Sequence, residues 1–141
     1  MPVFGQRSLD NLKGVHPNLI KVLSQAIRTS PVDFTITEGV RTDKRQIDLY
    51  AQGRTKPGVI VTNKNGTTNK SNHQPKKDGF GYAVDLYPFI DGSVRVNEKY
   101  VIPKLKEITD HIKKVAAELK INIVCGIDWK NPYDPPHIEL K

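Results

Sequence analysis

The order of apolar and polar positions divides the chain into helices and strands, with no internal repeat. After a short polar lead, His16-Pro17-Asn18 opens a run in which Leu19, Ile20, Val22, Leu23 and Ile27 share one helical face, ending near Ser30-Pro31. Phe34-Thr35-Ile36-Thr37 alternates as a strand that closes at Glu38-Gly39. Thr42 is placed to cap a second helix, with Ile47, Tyr50 and Ala51 as its apolar stripe and Gly53 at its end. Gly58 to Thr62 reads as a short strand, and Tyr82 to Tyr87 as another. In the latter, Ala83, Asp85 and Tyr87 share one face and Tyr82, Val84 and Leu86 the other. Leu105, Ile108, Ile112, Val115 and Leu119 form one stripe of the longest helix, from about Pro103 to Lys120. Ile121 to Ile127 and His137 to Leu140 supply the last strands. Helices and strands mix without regular βαβ alternation. That predicts an α+β fold, a small antiparallel sheet flanked by helices, in a single domain over 1–141.

The stretch from Asn63 to Gly81, rich in Asn, Lys, Gly, Thr and Ser and containing Pro75, must be mostly loop. A loop that long in a compact domain is either disordered or functional.

Composition narrows the class. Hydrophobic residues make up 37% and charged residues 26%, as in a folded globular chain. Cys125 is the only cysteine, which excludes a disulfide-built scaffold. No apolar run approaches the ~20 residues that span a bilayer. Met1 to Gly14 mixes Arg7, Asp10 and Lys13 among its apolar residues, so no secretory signal peptide is expected. Lys and Arg number 22 against 15 Asp and Glu, a net charge of +7. The densest basic stretch carries Lys64, Lys70, Lys76 and Lys77 but no aromatic before Phe80, unlike a base-stacking platform. A nucleic-acid-binding protein is the remote alternative, and attraction to an anionic wall or membrane surface explains the charge as well.

Of the four histidines, His16 at a helix start and His111 beside the long helix's stripe read as structural. His137 follows Pro135-Pro136 and shares a strand face with Glu139, and Asp134 precedes it by three positions. Asp134 reads either as a turn residue ahead of Pro135 or as a carboxylate reaching the same centre. Asp85 is the lone charge in an apolar strand, where burial is costly unless it is paired with a lysine or bound to metal. Together His73, Asp85 and His137 match the three-ligand complement of a catalytic zinc that keeps a fourth position for water. Asp134 would then act as general base. The helical H-E-x-x-H motif is absent. A purely structural zinc site is a further alternative, but such sites are typically closed and cysteine-rich, and only one cysteine is present.

Ser71-Asn72-His73 followed by Gly81-Tyr82-Ala83-Val84-Asp85 resembles the S-x-H-x-x-G-x-A-x-D signature of zinc peptidases related to D-Ala-D-Ala carboxypeptidases. That group includes the vancomycin-resistance dipeptidases and the phage endolysins of the L-alanyl-D-glutamate peptidase type. Trp129 to Glu139 is similar to the group's terminal motif, with Asp134 three positions before the last histidine. Trp129 itself reads equally as a core aromatic. Thr37-Glu38-Gly39-Val40-Arg41-Thr42 resembles the segment that supplies an active-site arginine; the alternative for Arg41 is an ordinary surface arginine.

The resemblance implies a D-Ala-D-Ala carboxypeptidase/hedgehog-like fold, Zn²⁺ on His73, Asp85 and His137, Asp134 as base, and Arg41 holding the substrate carbonyl and its oxyanion. It further implies an L-alanyl-D-glutamate endopeptidase acting on peptidoglycan. Such a monomeric endolysin waits in the host cytosol before reaching the wall. The runner-up is a D-Ala-D-Ala dipeptidase or carboxypeptidase with the same metal site. One departure stands out: seven residues, Gln74 to Phe80, separate His73 from Gly81 where the signature has two. Either the five extra residues bulge outward, or Asp78 replaces Asp85 as ligand. Gly81, Ala83 and Asp85 keep the signature's spacing, which favours Asp85.

Overall fold

A computed structural model describes residues 3–97, 99–130 and 133–141. Helix α1 (Gln6–Leu12) lies in what the pattern suggested was a polar lead. Only Ser8 and Leu12 of its seven residues are buried, too few to mark a stripe. Ser8 is nonetheless structural, because its hydroxyl accepts a hydrogen bond from the Ile36 amide at 3.0 Å. Helix α2 (Pro17–Thr29) matches its predicted span, with Pro17 in the first turn and the His16 ring accepting from the Asn18 amide. Strand β1 (Phe34–Glu38) and helix α3 (Asp43–Ala51) follow, and the Thr42 hydroxyl caps α3 through the Arg45 amide.

The apolar stripe expected on α3 is not what the helix buries. Ile47 is exposed, and the buried residue is the polar Gln46. The strand expected at Gly58–Thr62 is absent, and Val59, Ile60 and Val61 are 77%, 53% and 56% exposed. Among the described residues no strand of the sheet pairs with them, and β-branched residues alone do not hold a strand.

Strand β2 (Ala83–Ile90) runs three residues beyond Tyr87 into a hairpin with β3 (Ser93–Val94). The turn residues Asp91 and Gly92 both have positive φ, 53° and 80°, as a tight primed hairpin requires. Helix α4 (Val101–Leu119) starts two residues before Pro103 and ends at Lys120 in the left-handed conformation. The strand read over Ile121–Ile127 shortens to β4 (Ile123–Cys125), because Gly126–Asp128 turns off as one 3₁₀ turn. Strand β5 (His137–Leu140) is as predicted.

The sheet order is β1-β2-β5-β4, antiparallel throughout, with β3 attached to β2. Leu19, Val22, Leu23 and Ile27 of α2 meet Leu105, Ile108 and Ile112 of α4 over Ile36, Val84, Leu86 and Ile138 of the sheet. Strand alternation therefore sends Asp85, His137 and Glu139 to the opposite face. Among the described residues no helix is long and apolar enough to cross a membrane.

Candidate active site

The antiparallel register sets Asp85 on β2 directly opposite His137 on β5. His73 reaches the same place from the long loop. Oδ1 of Asp85 lies 3.4 Å from Nε2 of His73 and 3.5 Å from Nδ1 of His137. One donor atom from each of the three side chains falls within 4.8 Å of the others. Asp85 Oδ1 is buried yet accepts no well-aligned hydrogen bond among the described residues. Two donors each about 2.0–2.1 Å from a tetrahedral ion stand about 3.3 Å apart, so these separations and the orphaned oxygen fit a bound metal.

Each imidazole is oriented by its other nitrogen. Nδ1 of His73 donates to the Gly39 carbonyl at 2.9 Å, and Nε2 of His137 donates to Oε1 of Glu139 at 2.7 Å. The second Glu139 oxygen accepts from the Asn72 amide at 2.7 Å. The half-buried Trp129 packs its ring 5.1 Å from that of His137.

These contacts decide the charges. Burial alone favours a neutral Asp85, but the His137 and His73 rings outweigh it and hold the carboxyl well below the usual range. Burial likewise works against a charged His137, yet Asp85 and Glu139 overcome it and push the imidazole up to about 9. Asp134 moves the other way: burial first, then the Asp85 charge, raises its pKa.

Oδ2 of Asp134 stands 3.7 Å from Nδ1 of His137. Its backbone turn is closed by the Asp134 amide on the Gly126 carbonyl and the His137 amide on the Asp134 carbonyl, both at 3.1 Å. Gly126 has to lack a side chain there, because a Cβ would come within 2.1 Å of the Asp134 carbonyl oxygen. Arg41 is no free surface residue, its side chain being 11% exposed. Nε donates to Glu38 at 2.8 Å, Nη1 donates to Gln46 at 2.7 Å, and its amide donates to the His73 carbonyl at 2.8 Å. Its charge is felt at Asp134, where it opposes the upward shift.

The extra residues of the loop leave His73 in place. Gln74 is fully buried, its amide donating to Asp43 and to the Gly66 carbonyl. Residues 75–79 are exposed and close on themselves through Lys76 N to Phe80 O and Gly79 N to Lys76 O. Asp78 sits on this excursion, accepting from the Tyr82 hydroxyl at 2.6 Å and the Phe80 amide at 3.0 Å. It is therefore Asp85 that meets the two histidines. His111 bonds the Thr29 hydroxyl and His16 caps α2, both away from the site.

Two contributors have roles that the sequence does not assign. Glu139 carried a signal, since alternation places it beside His137 on one face. Gln46 carried none; a glutamine on an exposed-looking helix does not announce that its amide will reach Arg41, Thr62 and the Lys64 carbonyl.

A family profile described as phage L-alanyl-D-glutamate peptidase matches residues 2–140. The chain is 30% identical to the L-alanyl-D-glutamate peptidase of Escherichia phage T5, over 97% of this chain and 96% of that protein. It is 32% identical to the peptidoglycan L-alanyl-D-glutamate endopeptidase CwlK of Bacillus subtilis, covering 89% of this chain and 73% of the relative. The crystal structure of the Serratia marcescens L-Ala D-Glu endopeptidase ChiX superposes with a TM-score of 0.74 at 30% identity, covering 98% of this chain and 89% of that one. By sequence and by fold, the chain belongs to the phage L-alanyl-D-glutamate peptidase family.

Proposed function

We propose that residues 1–141 form one monomeric zinc peptidase domain that hydrolyses the L-alanyl-D-glutamate bond of peptidoglycan stem peptides. In this reading it is an endolysin, held in the host cytosol until it reaches the wall. The observation that carries it is the buried Asp85 oxygen standing unpartnered between His73 Nε2 and His137 Nδ1. The names of the relatives supply the bond and the substrate.

His73, Asp85 and His137 would hold the ion, two neutral nitrogens and one carboxylate, which leaves a position open. Zinc bound there supplies Lewis acidity, polarising the scissile carbonyl and making water a nucleophile near neutral pH. Asp134 takes the proton from the attacking water and passes it to the leaving amine. Its raised pKa places it closer to the working pH than an ordinary aspartate, which suits both tasks. Arg41, fixed by Glu38 and Gln46, keeps Nη2 without a hydrogen-bond partner among the described residues and directs it to the oxyanion.

Purified protein should contain one zinc per chain, and digestion of murein should create new alanine C-termini and glutamate N-termini. Protein that holds no zinc, or a digest that yields only free D-alanine, would sink the reading.

A further inference from the structure

Among the described residues, Glu139 is the carboxylate touching the centre to which that mechanism gives no task, and both of its oxygens are committed. Oε1 accepts from Nε2 of His137 at 2.7 Å, on the side of the ring away from Asp85. Oε2 accepts from the side-chain amide of Asn72, 67 positions earlier, at 2.7 Å. Asn72 directly precedes His73, and its carbonyl receives the Tyr82 amide at 2.8 Å at the start of β2. In the sheet register Glu139 faces Ala83, so the loop, β2 and β5 meet at this carboxylate. Its side chain is only 16% exposed, so the bridge is shielded from water and from salt.

The two rings are held by unlike acceptors. His73 leans on a backbone carbonyl, a neutral dipole, whereas His137 leans on a full negative charge. A neutral imidazole has one N–H, and whichever nitrogen lacks it is the donor to a metal. When a metal displaces the Nδ1 proton, a carboxylate on Nε2 keeps the remaining proton there, leaves the Nδ1 lone pair to the ion, and makes the ring a stronger donor.

We propose that Glu139, held by Asn72, is a positioning residue that presets His137 with Nδ1 toward the metal and ties the His73 loop to β5. The inference rests on the zinc reading of the site. Nothing in it requires Glu139 to touch zinc or substrate.

The test is zinc affinity, measured by competition with a chromogenic chelator on the full chain at one fixed pH. Wild type, Glu139→Gln, Asn72→Ala and the double variant are compared, each first shown by its far-UV spectrum and cooperative melting to be folded. Glu139→Gln should bind zinc about 10–100-fold more weakly. Asn72→Ala should lose less, and the double variant no more than Glu139→Gln alone, because Asn72 acts through Glu139. A merely structural role would lower the melting temperature and leave the zinc affinity of the folded variants at the wild-type value. Wild-type affinity in Glu139→Gln, or losses that add in the double variant, would overturn the proposal. Failure of the wild-type protein to bind zinc at all would instead refute the zinc reading beneath it.

Discussion

The Gly39 carbonyl accepts a hydrogen bond from Nδ1 of His73 at 2.9 Å, across 34 positions of sequence. The register of β1 on β2 shifts between Ile36 and Glu38, and the irregularity brings both the Gly39 carbonyl and Arg41 to the site from one segment. Gly39 itself is clamped against α1, where a Cβ would fall 1.7 Å from the Asn11 carbonyl oxygen. Gly39→Ala must therefore push the segment off α1. The expected outcome is a loss of about 2 kcal/mol or more in stability, with weaker zinc retention. Thermal melting and metal analysis on the same sample check it.

Asp134→Asn tests the base without touching a ligand. The variant should keep zinc and lose at least about 100-fold in kcat. Wild-type activity should fall on the acid side as Asp134 protonates, with burial working to raise its carboxyl above the ordinary aspartate range. That acid limb should disappear from whatever activity the variant retains. A pH-rate profile of both proteins on murein reads the outcome.

Gln46→Leu separates placement of Arg41 from metal binding. The substitution leaves the Lys64 carbonyl and the Arg41 Nη1 without their partner in a fully buried position. Stability should drop by about 1–3 kcal/mol. Zinc content should stay at the wild-type level while kcat/KM falls. Loss of zinc alongside activity would tie Gln46 to the metal rather than to Arg41.

The metal-free protein should show an unusual alkaline weakness. His137 titrates at about 9 in the fold against 6.5 unfolded, held charged by Asp85, Glu139 and Asp134. A raised histidine stabilises fully below 6.5 and loses that contribution as pH climbs through 9. The unfolding free energy of zinc-free protein, read from denaturant titrations, should fall between those limits by on the order of 3 kcal/mol. With zinc bound His137 is already neutral, so the same pH range should leave the loaded protein nearly flat.

The sequence disclosed the site better than its supports. Asp85 stands out as a charge in an apolar strand, and two-residue alternation fixes which face it shares with Ala83. His137 and Asp134 are locked to one turn by neighbouring prolines, so their relation is local and legible. Gln46 and the Gly39 carbonyl matter through contacts that tertiary folding alone creates. The run at Val59 to Val61 shows the converse error. Its residues favour a strand, but a strand exists only where a neighbour can pair with it. The hairpin at Asp91-Gly92 carries its own turn signal in the sequence, an Asp-Gly pair that tolerates the positive φ both residues adopt.

The loop excursion from Pro75 to Gly79 departs and returns where the chain is pinned on both sides, by the buried Gln74 and by the Gly81 amide on the Gly14 carbonyl. Its length is thereby uncoupled from the chemistry. Doubling such a loop adds only about 0.6 kcal/mol of closure entropy. The excursion is thus a natural splice point, where a wall-targeting peptide or an affinity tag can be grafted between the two halves of the metal motif.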